Sequence, residues 1–245
     1  MEPAPTGWII TIMTTINYSK IIDLTHKIHP NIPLWPGDPA VELETVANFS
    51  TSGYYLRRFS MGEHSGTHLN SPKSFYQDGI GIDDYSPESC ILPAVVIDFR
   101  EKASQNPDSI LTVSDLELWE KQYKIIPENS MVLLYTGWQE KWYDPRAFLN
   151  VDTEGKLHFP GFGSEATQFL IEQRNIKGVG IDTHGVDPGF DHGFNTNKLI
   201  LKNNGFVLEN LTNLDKLPTT GISLIIGILK LTGGSGSPVS VLALI

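Results

Sequence analysis

Two histidines four positions apart are the residues of this chain most suited to chemistry. His64 and His68 lie in the segment GEHSGTHLN, residues 62–70. Imidazole is the commonest transition-metal ligand near neutral pH, and Gly66 allows a tight backbone turn between the two rings. In an extended segment alternate side chains face the same side, so we expect His68 and Asn70 to share a direction. Taken alone, the spacing is also met in pairs of surface or core histidines.

The sequence around these histidines resembles the signature of a known enzyme family. The signature reads H-x-G-T-H-x-D-x-P-x-H, and five positions match it: His64, Gly66, Thr67, His68 and Pro72. It belongs to the metal-dependent cyclases and kynurenine formamidases, a family that includes isatin hydrolases. Further blocks resemble the family in the same order: residues 22–25 with 33–39, 134–138, 159–162, 180–183 with 186–189, 208–214 and 234–239. The chain is therefore identified as a divergent member.

The resemblance implies a fold, a cofactor and a reaction. The family fold is a swivelling β/β/α domain that assembles as a homodimer or homotetramer. In the family, the two histidines and the aspartate of the signature bind a divalent ion, zinc or manganese. A second ion, in two-metal members, uses the same aspartate, the last histidine of the signature, a later histidine and a glutamate. The ion activates water and polarises a carbonyl group. The resemblance thus predicts hydrolysis of a small amide, formamide or lactam.

Three positions that bind metal in the family hold other residues here. Asn70 stands at the aspartate position, Ser74 at the last histidine and Asn197 at the later histidine, whereas Glu209 is retained. A neutral amide offers one carbonyl oxygen and cannot bridge two cations as a carboxylate does. We therefore predict one zinc or manganese ion, or none. The predicted ligands are His64, His68, Asn70 and Glu209.

The candidate catalytic residues are two of these family positions and two nearby histidines. Glu209 is the expected base, with a pKa raised by burial. His192 and His184 are candidates for a replacement ligand or a proton shuttle, and the alternative for each is a loop histidine held by a backbone partner. Ser74 could act as a nucleophile only with a base beside it, and is otherwise a space-filling side chain.

Three aromatic residues are candidates for the wall of a binding pocket. They are Trp35, Phe75 and Trp138. Small-molecule sites are largely apolar with a few polar groups, so aromatic side chains near the signature suit a substrate. Ordinary core packing is the alternative for each.

Three functions are compatible with this sequence. The leading one is a hydrolase that acts on a carbon–nitrogen bond with one metal ion. The second is a lyase or cyclase that uses acid–base chemistry in the same pocket without a strongly bound metal. The third is a non-catalytic protein that binds a small ligand.

Short apolar runs rich in β-branched residues predict buried strands. They lie at 94–99, 131–135, 179–181, 206–208, 224–231 and 239–245. Two segments predict helices: a capping box beginning at Ser114, and residues 165–174 with Ser164 as the N-cap. Strands outnumber helices, so the predicted fold class is α/β with mixed β-sheets and few helices.

Composition and charge exclude several classes of protein. The 245 residues are 40% hydrophobic and 19% charged, which predicts a folded chain with a substantial core. A net charge of −10 without a basic cluster argues against a nucleic-acid partner. The sequence has no run of about 18 apolar residues, so it predicts no membrane span. Cys90 is the single cysteine. We predict a cytoplasmic protein with an N-terminal extension or arm at residues 1–20 and a cyclase-like domain at 21–245.

Overall fold

A computed structural model describes residues 15–245. In chain order the strands are β1 (Ile21–Asp23), β2 (Glu42–Ala47), β3 (Leu56–Ser60), β4 (His68–Asn70), β5 (Ile91–Asp98), β6 (Ile110–Leu111), β7 (Met131–Tyr135), β8 (Gly161–Phe162), β9 (Gly178–Ile181), β10 (Phe206–Glu209), β11 (Ile222–Ile228) and β12 (Gly236–Leu244). The α-helices are α1 (Phe49–Ser52), α2 (Arg100–Gln105), α3 (Val113–Tyr123), α4 (Pro145–Leu149), α5 (Ser164–Arg174) and α6 (Asn195–Lys202). Short 3₁₀ helices lie at Pro72–Ser74, Ile82–Asp84, Pro87–Cys90, Trp138–Lys141 and Leu214–Lys216.

One mixed sheet dominates the fold. Its eight strands run in the order β1-β12-β11-β5-β7-β9-β10-β4. β4 also pairs with β12, so all of these strands except β1 close into a barrel-like ring. The neighbours β5, β7, β9 and β10 are parallel, and the other pairs are antiparallel. The predicted α/β class with mixed sheets and few helices is confirmed.

The parallel strands are buried on both faces, which explains their unbroken apolar sequences. Alternate residues of β5 and β7 enter one core cluster, among them Ala94, Val96, Met131 and Leu133. The residues between them enter a second cluster with the helices α3, α5 and α6, among them Val95, Ile97, Val132 and Leu134. The ring of strands is thus a rigid base for the residues at its edge.

The predicted strands are all present. The run 131–135 coincides with β7, and the other five agree with β5, β9, β10, β11 and β12 to within three residues at each end. Strand ends are set by pairing with distant strands, which local sequence does not contain.

Both predicted helices exist, but their predicted caps are wrong. Thr112, not Ser114, forms the capping box of α3, because the Asp115 backbone N–H donates to the Thr112 hydroxyl and the Asp115 carboxylate accepts from Thr112. Ser164 is the first residue of α5 rather than its cap, and Gly163 precedes it without a side-chain hydrogen bond. Sequence also missed α1, α2, α4 and α6, and the first turn of α6 is held by the Asp187 carboxylate in the preceding loop.

A second, smaller sheet stands apart from the ring. β2 and β3 pair as an antiparallel hairpin around α1. Its outer part exposes large apolar side chains, namely Val46, Phe49, Tyr54, Tyr55, Leu56 and Phe59. Its base packs through Leu43 and Met61 against a buried aromatic cluster. β3 therefore leads directly from an exposed arm into the segment of His64.

The predicted extension 1–20 falls largely on residues 1–14, which lie outside the described part of the chain. Of the remainder, the backbone N–H groups of Ser19 and Lys20 donate to the Ile245 carbonyl, at 2.7 and 3.0 Å. Within residues 15–245 no helix is long and apolar enough to cross a membrane. Cys90 is buried and free, and burial raises the pKa of its thiol.

Candidate active site

The central strand of the site is β4, which lies between β10 and β12. Its His68 is opposite Glu209 of β10, and its Asn70 is opposite Gly236 of β12. Because alternate residues of a strand face opposite sides, His68 and Asn70 both line a cavity, while Leu69 enters the core. Pairing of three strands thus brings together residues from distant parts of the sequence.

Two glycines allow His64 to reach the same place. Gly66 has a φ of +69°, which permits the turn between the histidines. Gly236 has no room for a side chain, since a Cβ would lie 2.6 Å from His64 Cε1 and 2.8 Å from the Leu69 carbonyl oxygen. The His64 ring consequently lies against the backbone of β12.

A line of buried polar side chains crosses the end of the cavity. His64 Nδ1 lies 2.7 Å from Asn70 Oδ1, and Asn70 Nδ2 donates to Asn197 Oδ1 at 2.9 Å. Asn197 Nδ2 donates to Asp187 Oδ2 at 2.9 Å and to Glu209 Oε1 at 3.1 Å. Asp187 also accepts the backbone N–H groups of Thr196 and Asn197 in the first turn of α6. Two of the three replaced positions, 70 and 197, are therefore in direct contact.

His68 and Glu209 form a buried hydrogen-bonded pair. His68 Nδ1 is 2.9 Å from the Gly66 carbonyl oxygen, and Nε2 is 3.0 Å from Glu209 Oε2. Burial acts to raise the pKa of Glu209, but hydrogen bonds from His68, Val186 and Asn197 outweigh it and lower the pKa to about 2. The predicted rise in the Glu209 pKa is wrong, because its hydrogen bonds stabilise the ionised carboxylate, and the catalytic role of Glu209 stays a prediction.

Two serines border the cavity, and their surroundings differ. Ser74 Oγ donates to the Ser235 carbonyl at 2.7 Å and has no titratable group as partner. Ser235 Oγ lies 2.9 Å from His64 Nε2 and 2.7 Å from Glu63 Oε2, which also accepts the Ser235 backbone N–H. Burial, with the nearby His68, lowers the pKa of His64 and keeps its ring neutral. The base that sequence reasoning required beside Ser74 lies beside Ser235.

These contacts test whether the residues fit a metal ion. The predicted ligands His64, His68, Asn70 and Glu209 do meet, but their nitrogen and oxygen atoms face one another. These atoms are engaged in hydrogen bonds, and the three hydrogen bonds to Glu209 engage the one carboxylate among them. Within residues 15–245 no group of three or more His, Cys, Asp and Glu side chains is placed to hold an ion. The residues present do not fit a resident zinc or manganese ion.

Aromatic side chains form the wall of the cavity, whose volume is about 250 Å³. They are Trp35, Phe75, Phe159 and Phe194. The Phe194 ring centroid lies 6.2 Å from Trp35 and 5.5 Å from Phe75. Its backbone φ is +52°, a conformation uncommon for a bulky residue, so the fold holds Phe194 in the wall against local preference.

The other predicted site residues lie in different places. Trp138 is buried in a core cluster beneath the wall, where its indole N–H donates to the Phe148 carbonyl at 2.7 Å. His192 is exposed in a loop and is not part of the wall. His184 does line the cavity, and burial lowers its pKa to about 4. Its Nε2 is buried without a protein partner.

Several cavity residues were missed at the sequence level. They are Phe159, Asp187, Phe194 and Ser235. Glu63, which contacts Ser235, was missed as well. Asp187 and Ser235 lie in blocks that resemble the family, and the run Gly-Ser-Gly-Ser-Pro at 234–238 signals a turn that exposes its polar residues. No feature of the sequence indicated that Phe194 lines the cavity, because its position depends on an uncommon backbone conformation.

Known proteins resemble the chain over most of its length. A family model described as "Putative cyclase" matches residues 22–188. The isatin hydrolase of Roseibium aggregatum is 33% identical over 92% of this chain and 92% of its own length. The kynurenine formamidase of Erythrobacter litoralis is 24% identical over 88% of this chain and 89% of its own.

Solved structures agree with these relatives. Isatin hydrolase A from Ralstonia solanacearum superposes with a TM-score of 0.88 at 35% identity, covering 92% of both chains. A protein described as a potential metal-dependent hydrolase with cyclase activity has a TM-score of 0.70 over 91% of this chain and 96% of its own. At 21% identity it shows the fold alone. The predicted family, fold and enzyme class are confirmed: the chain belongs to the cyclase family, whose members named here are amide-hydrolysing enzymes.

Proposed function

We propose that this protein hydrolyses a small aromatic amide, with a fused lactam of the isatin type as the first candidate substrate and an aryl formamide as the second. The observation that carries the proposal is the composition of the cavity. Aromatic side chains line its wall, and a hydrogen-bonded polar cluster closes one end. This arrangement suits a flat apolar ring that carries one amide group. The isatin hydrolase and kynurenine formamidase relatives support the same class of bond.

The wall would hold the aromatic part of the substrate. Trp35, Phe75 and Phe194 are half-buried, so each has surface left to contact a ligand. His184 adds a polar group to this wall, since its unpaired Nε2 can bond a polar atom of the substrate. The neutral state of that ring suits an uncharged amide.

The polar end would act on the amide itself. The ring centroids of His68 and His64 are 5.3 Å apart, so both imidazoles lie close to the expected reaction centre. A hydrogen-bond donor that is fixed in such a site stabilises negative charge that develops on a carbonyl oxygen. Glu209 and Asn197 hold the polar end of the cavity in place through buried hydrogen bonds.

The test is hydrolysis of isatin and of the formamide of kynurenine by the purified protein, followed by absorbance and mass spectrometry of the product. Phe75→Ala should raise KM about tenfold, because removing a half-buried aromatic contact costs about 1.5 kcal/mol. Phe190→Ala removes an exposed aromatic residue outside the cavity and should leave KM unchanged. Ligand binding without turnover of any amide would refute the proposal and favour a non-catalytic binding protein.

We further propose that the chain forms a homo-oligomer through the β2–β3 hairpin. The exposed apolar hairpin supports a homodimer or homotetramer, because its half-exposed aromatic side chains, about 150–250 Å² each when fully exposed, together present a few hundred Å² of apolar surface, a size that often marks an interaction site. A second copy of the chain is the proposed occupant of this surface. A cytoplasmic location is proposed with it.

A further inference from the structure

Gly185 lies where the aromatic wall meets the polar end of the cavity. It lines the cavity and is half-buried, whereas its neighbours His184 and Val186 are buried. A Cβ atom at position 185 would lie 3.8 Å from Phe159 Cε2 and 3.8 Å from Glu209 Oε1. At this point the edge of an aromatic ring and a carboxylate of the polar end are therefore no more than twice that distance apart.

The fold does not require a glycine at position 185. The backbone φ of Gly185 lies outside the left-handed region, so a residue with a side chain can adopt it. The nearest atom that its Cβ would meet is the Asp187 carbonyl oxygen at 3.7 Å, an ordinary van der Waals distance. Gly189, by contrast, has no room, because its Cβ would lie 2.6 Å from the Leu157 carbonyl oxygen. The space that a side chain at 185 would fill is therefore part of the cavity.

The backbone around position 185 is held on both sides. Thr183 Oγ1 donates to the Gly185 carbonyl at 2.7 Å, and the Val186 backbone N–H donates to Glu209 Oε1 at 3.0 Å. Thr183 is itself fully buried, and its carbonyl accepts the Asn210 backbone N–H at 3.0 Å. A side chain added at 185 could not withdraw with its backbone and would stay in the cavity.

We propose that Gly185 is a specificity-determining residue, and that its open position admits an aromatic ring that carries the amide directly. A ring that contacts Phe159 reaches the polar end by lying over the Gly185 backbone. Because the wall and the polar end meet there, no spacer is needed between the ring and the amide. A tetrahedral carbon between them would stand out of the ring plane and press on the backbone at 185. This inference deepens the proposed function and rests on it for the class of bond.

The first test replaces Gly185 and measures binding, so that it does not depend on turnover. The ligands are isatin and formanilide, a formamide attached directly to a benzene ring. Their dissociation constants are measured by calorimetry, or as KM where the amide is hydrolysed. Gly185→Ala should weaken binding of both about tenfold, the factor expected from overpacking by one methyl group, and Gly185→Val at least about 100-fold. Gly227→Ala is the matched control, because its Cβ would meet nothing nearer than 3.4 Å on a strand outside the cavity, and it should leave binding unchanged.

The second measurement separates a filled cavity from a damaged fold. Alanine at an unstrained position restricts the unfolded chain more than glycine does. Gly185→Ala should therefore unfold at the same urea concentration as the natural protein or at a higher one. A variant that binds less tightly but is no less stable carries its added methyl group in the cavity.

The third measurement tests how the amide is attached to the ring. N-benzylformamide differs from formanilide by one CH₂ group between the ring and the nitrogen. The natural protein should bind formanilide at least about tenfold more tightly, although the added CH₂ group makes N-benzylformamide the more apolar ligand.

The outcomes separate this inference from the proposed function. Unchanged binding by Gly185→Val, a clear loss of stability in Gly185→Ala, or binding of N-benzylformamide as tight as that of formanilide would overturn the inference. Hydrolysis of isatin by Gly185→Val with the natural KM would overturn it and leave the proposed function standing. Weaker binding by the Gly185 variants of a protein that hydrolyses no amide would support the role of Gly185 and refute the proposed function. If the natural protein binds none of the three amides, both fail.

Discussion

Asn197 should be one of the most costly polar residues to replace, because it satisfies three buried partners at once. Its NH₂ group donates to Asp187 and Glu209, and its oxygen accepts from Asn70. A hydrogen bond to a charged group contributes about 1.5–3 kcal/mol and a neutral one about 0.5–1.5 kcal/mol. Water from the adjoining cavity can replace part of this bonding, so Asn197→Ala should lower the free energy of unfolding by roughly 4 kcal/mol.

Asn197→Asp should cost more than Asn197→Ala at high pH, although it is nearly isosteric. It loses both donated bonds and adds a third carboxylate beside Asp187 and Glu209. Burial has already raised the pKa of Asp187 to about 6, and a neighbouring like charge raises it further. Since carboxyl pKa values are then higher in the folded than in the unfolded state, the folded state binds more protons in that range. The loss of stability should therefore be largest above about pH 7 and shrink towards about pH 5.

The assay is urea unfolding followed by circular dichroism at about pH 8 and about pH 5. Asn195→Ala is the matched control, because Asn195 lies on the same helix and bonds Asp191 at the exposed surface. It should change stability by less than about 1 kcal/mol. The reasoning fails if Asn197→Asp is as stable as the natural protein, or if its deficit is the same at both pH values.

Three further changes test other parts of the structure. Gly236→Ala should displace the His64 ring from its contact with Ser235, lowering kcat at least tenfold and the free energy of unfolding by about 1–3 kcal/mol. Gly227→Ala should do neither, because its Cβ would meet nothing nearer than 3.4 Å. Equal kcat values for the two variants would contradict this prediction. Phe49→Ser with Phe59→Ser should reduce the mass measured by light scattering to that of one chain, and Tyr143→Ser, at an 80% exposed side chain away from the hairpin, should not. Asn70→Asp, Ser74→His and Asn197→His together should create a site that holds a divalent ion by elemental analysis; a protein that stays folded and free of metal would show that the pocket itself has diverged.

The sequence predicts most of the fold because the signals it uses are local or shared with the family. The apolar run at 131–135 is buried on both faces of a parallel sheet, so its length equals the length of β7. By contrast, α6 follows Phe194, a residue with positive φ that offers no side-chain cap, and depends on Asp187 for its first turn. No local start signal exists there, which is why that helix was missed.

The candidate site was only partly predictable, for a similar reason. His68, Asn70 and Glu209 come together because β4 pairs with β10, and the family resemblance contains that information. The pKa of Glu209 depends on three donors from other segments. The line of hydrogen bonds through Asn70 and Asn197 depends on which way two amide groups point. Such directions follow only from the contacts of the folded chain.

The two asparagines function as one unit rather than as two separate losses of a metal ligand. With Asn197 in place, an aspartate at position 70 would lose the donor that Asn197 Oδ1 needs, because a carboxylate oxygen can only accept. With Asn70 in place, an aspartate at 197 would set acceptors against Asp187 and Glu209. Only an amide at both positions gives every contact in the line a donor and an acceptor, and the line ends with an acceptor for His64 Nδ1. Asn70 and Asn197 thus complete one another's hydrogen bonds, so effects of replacing the two residues should not add.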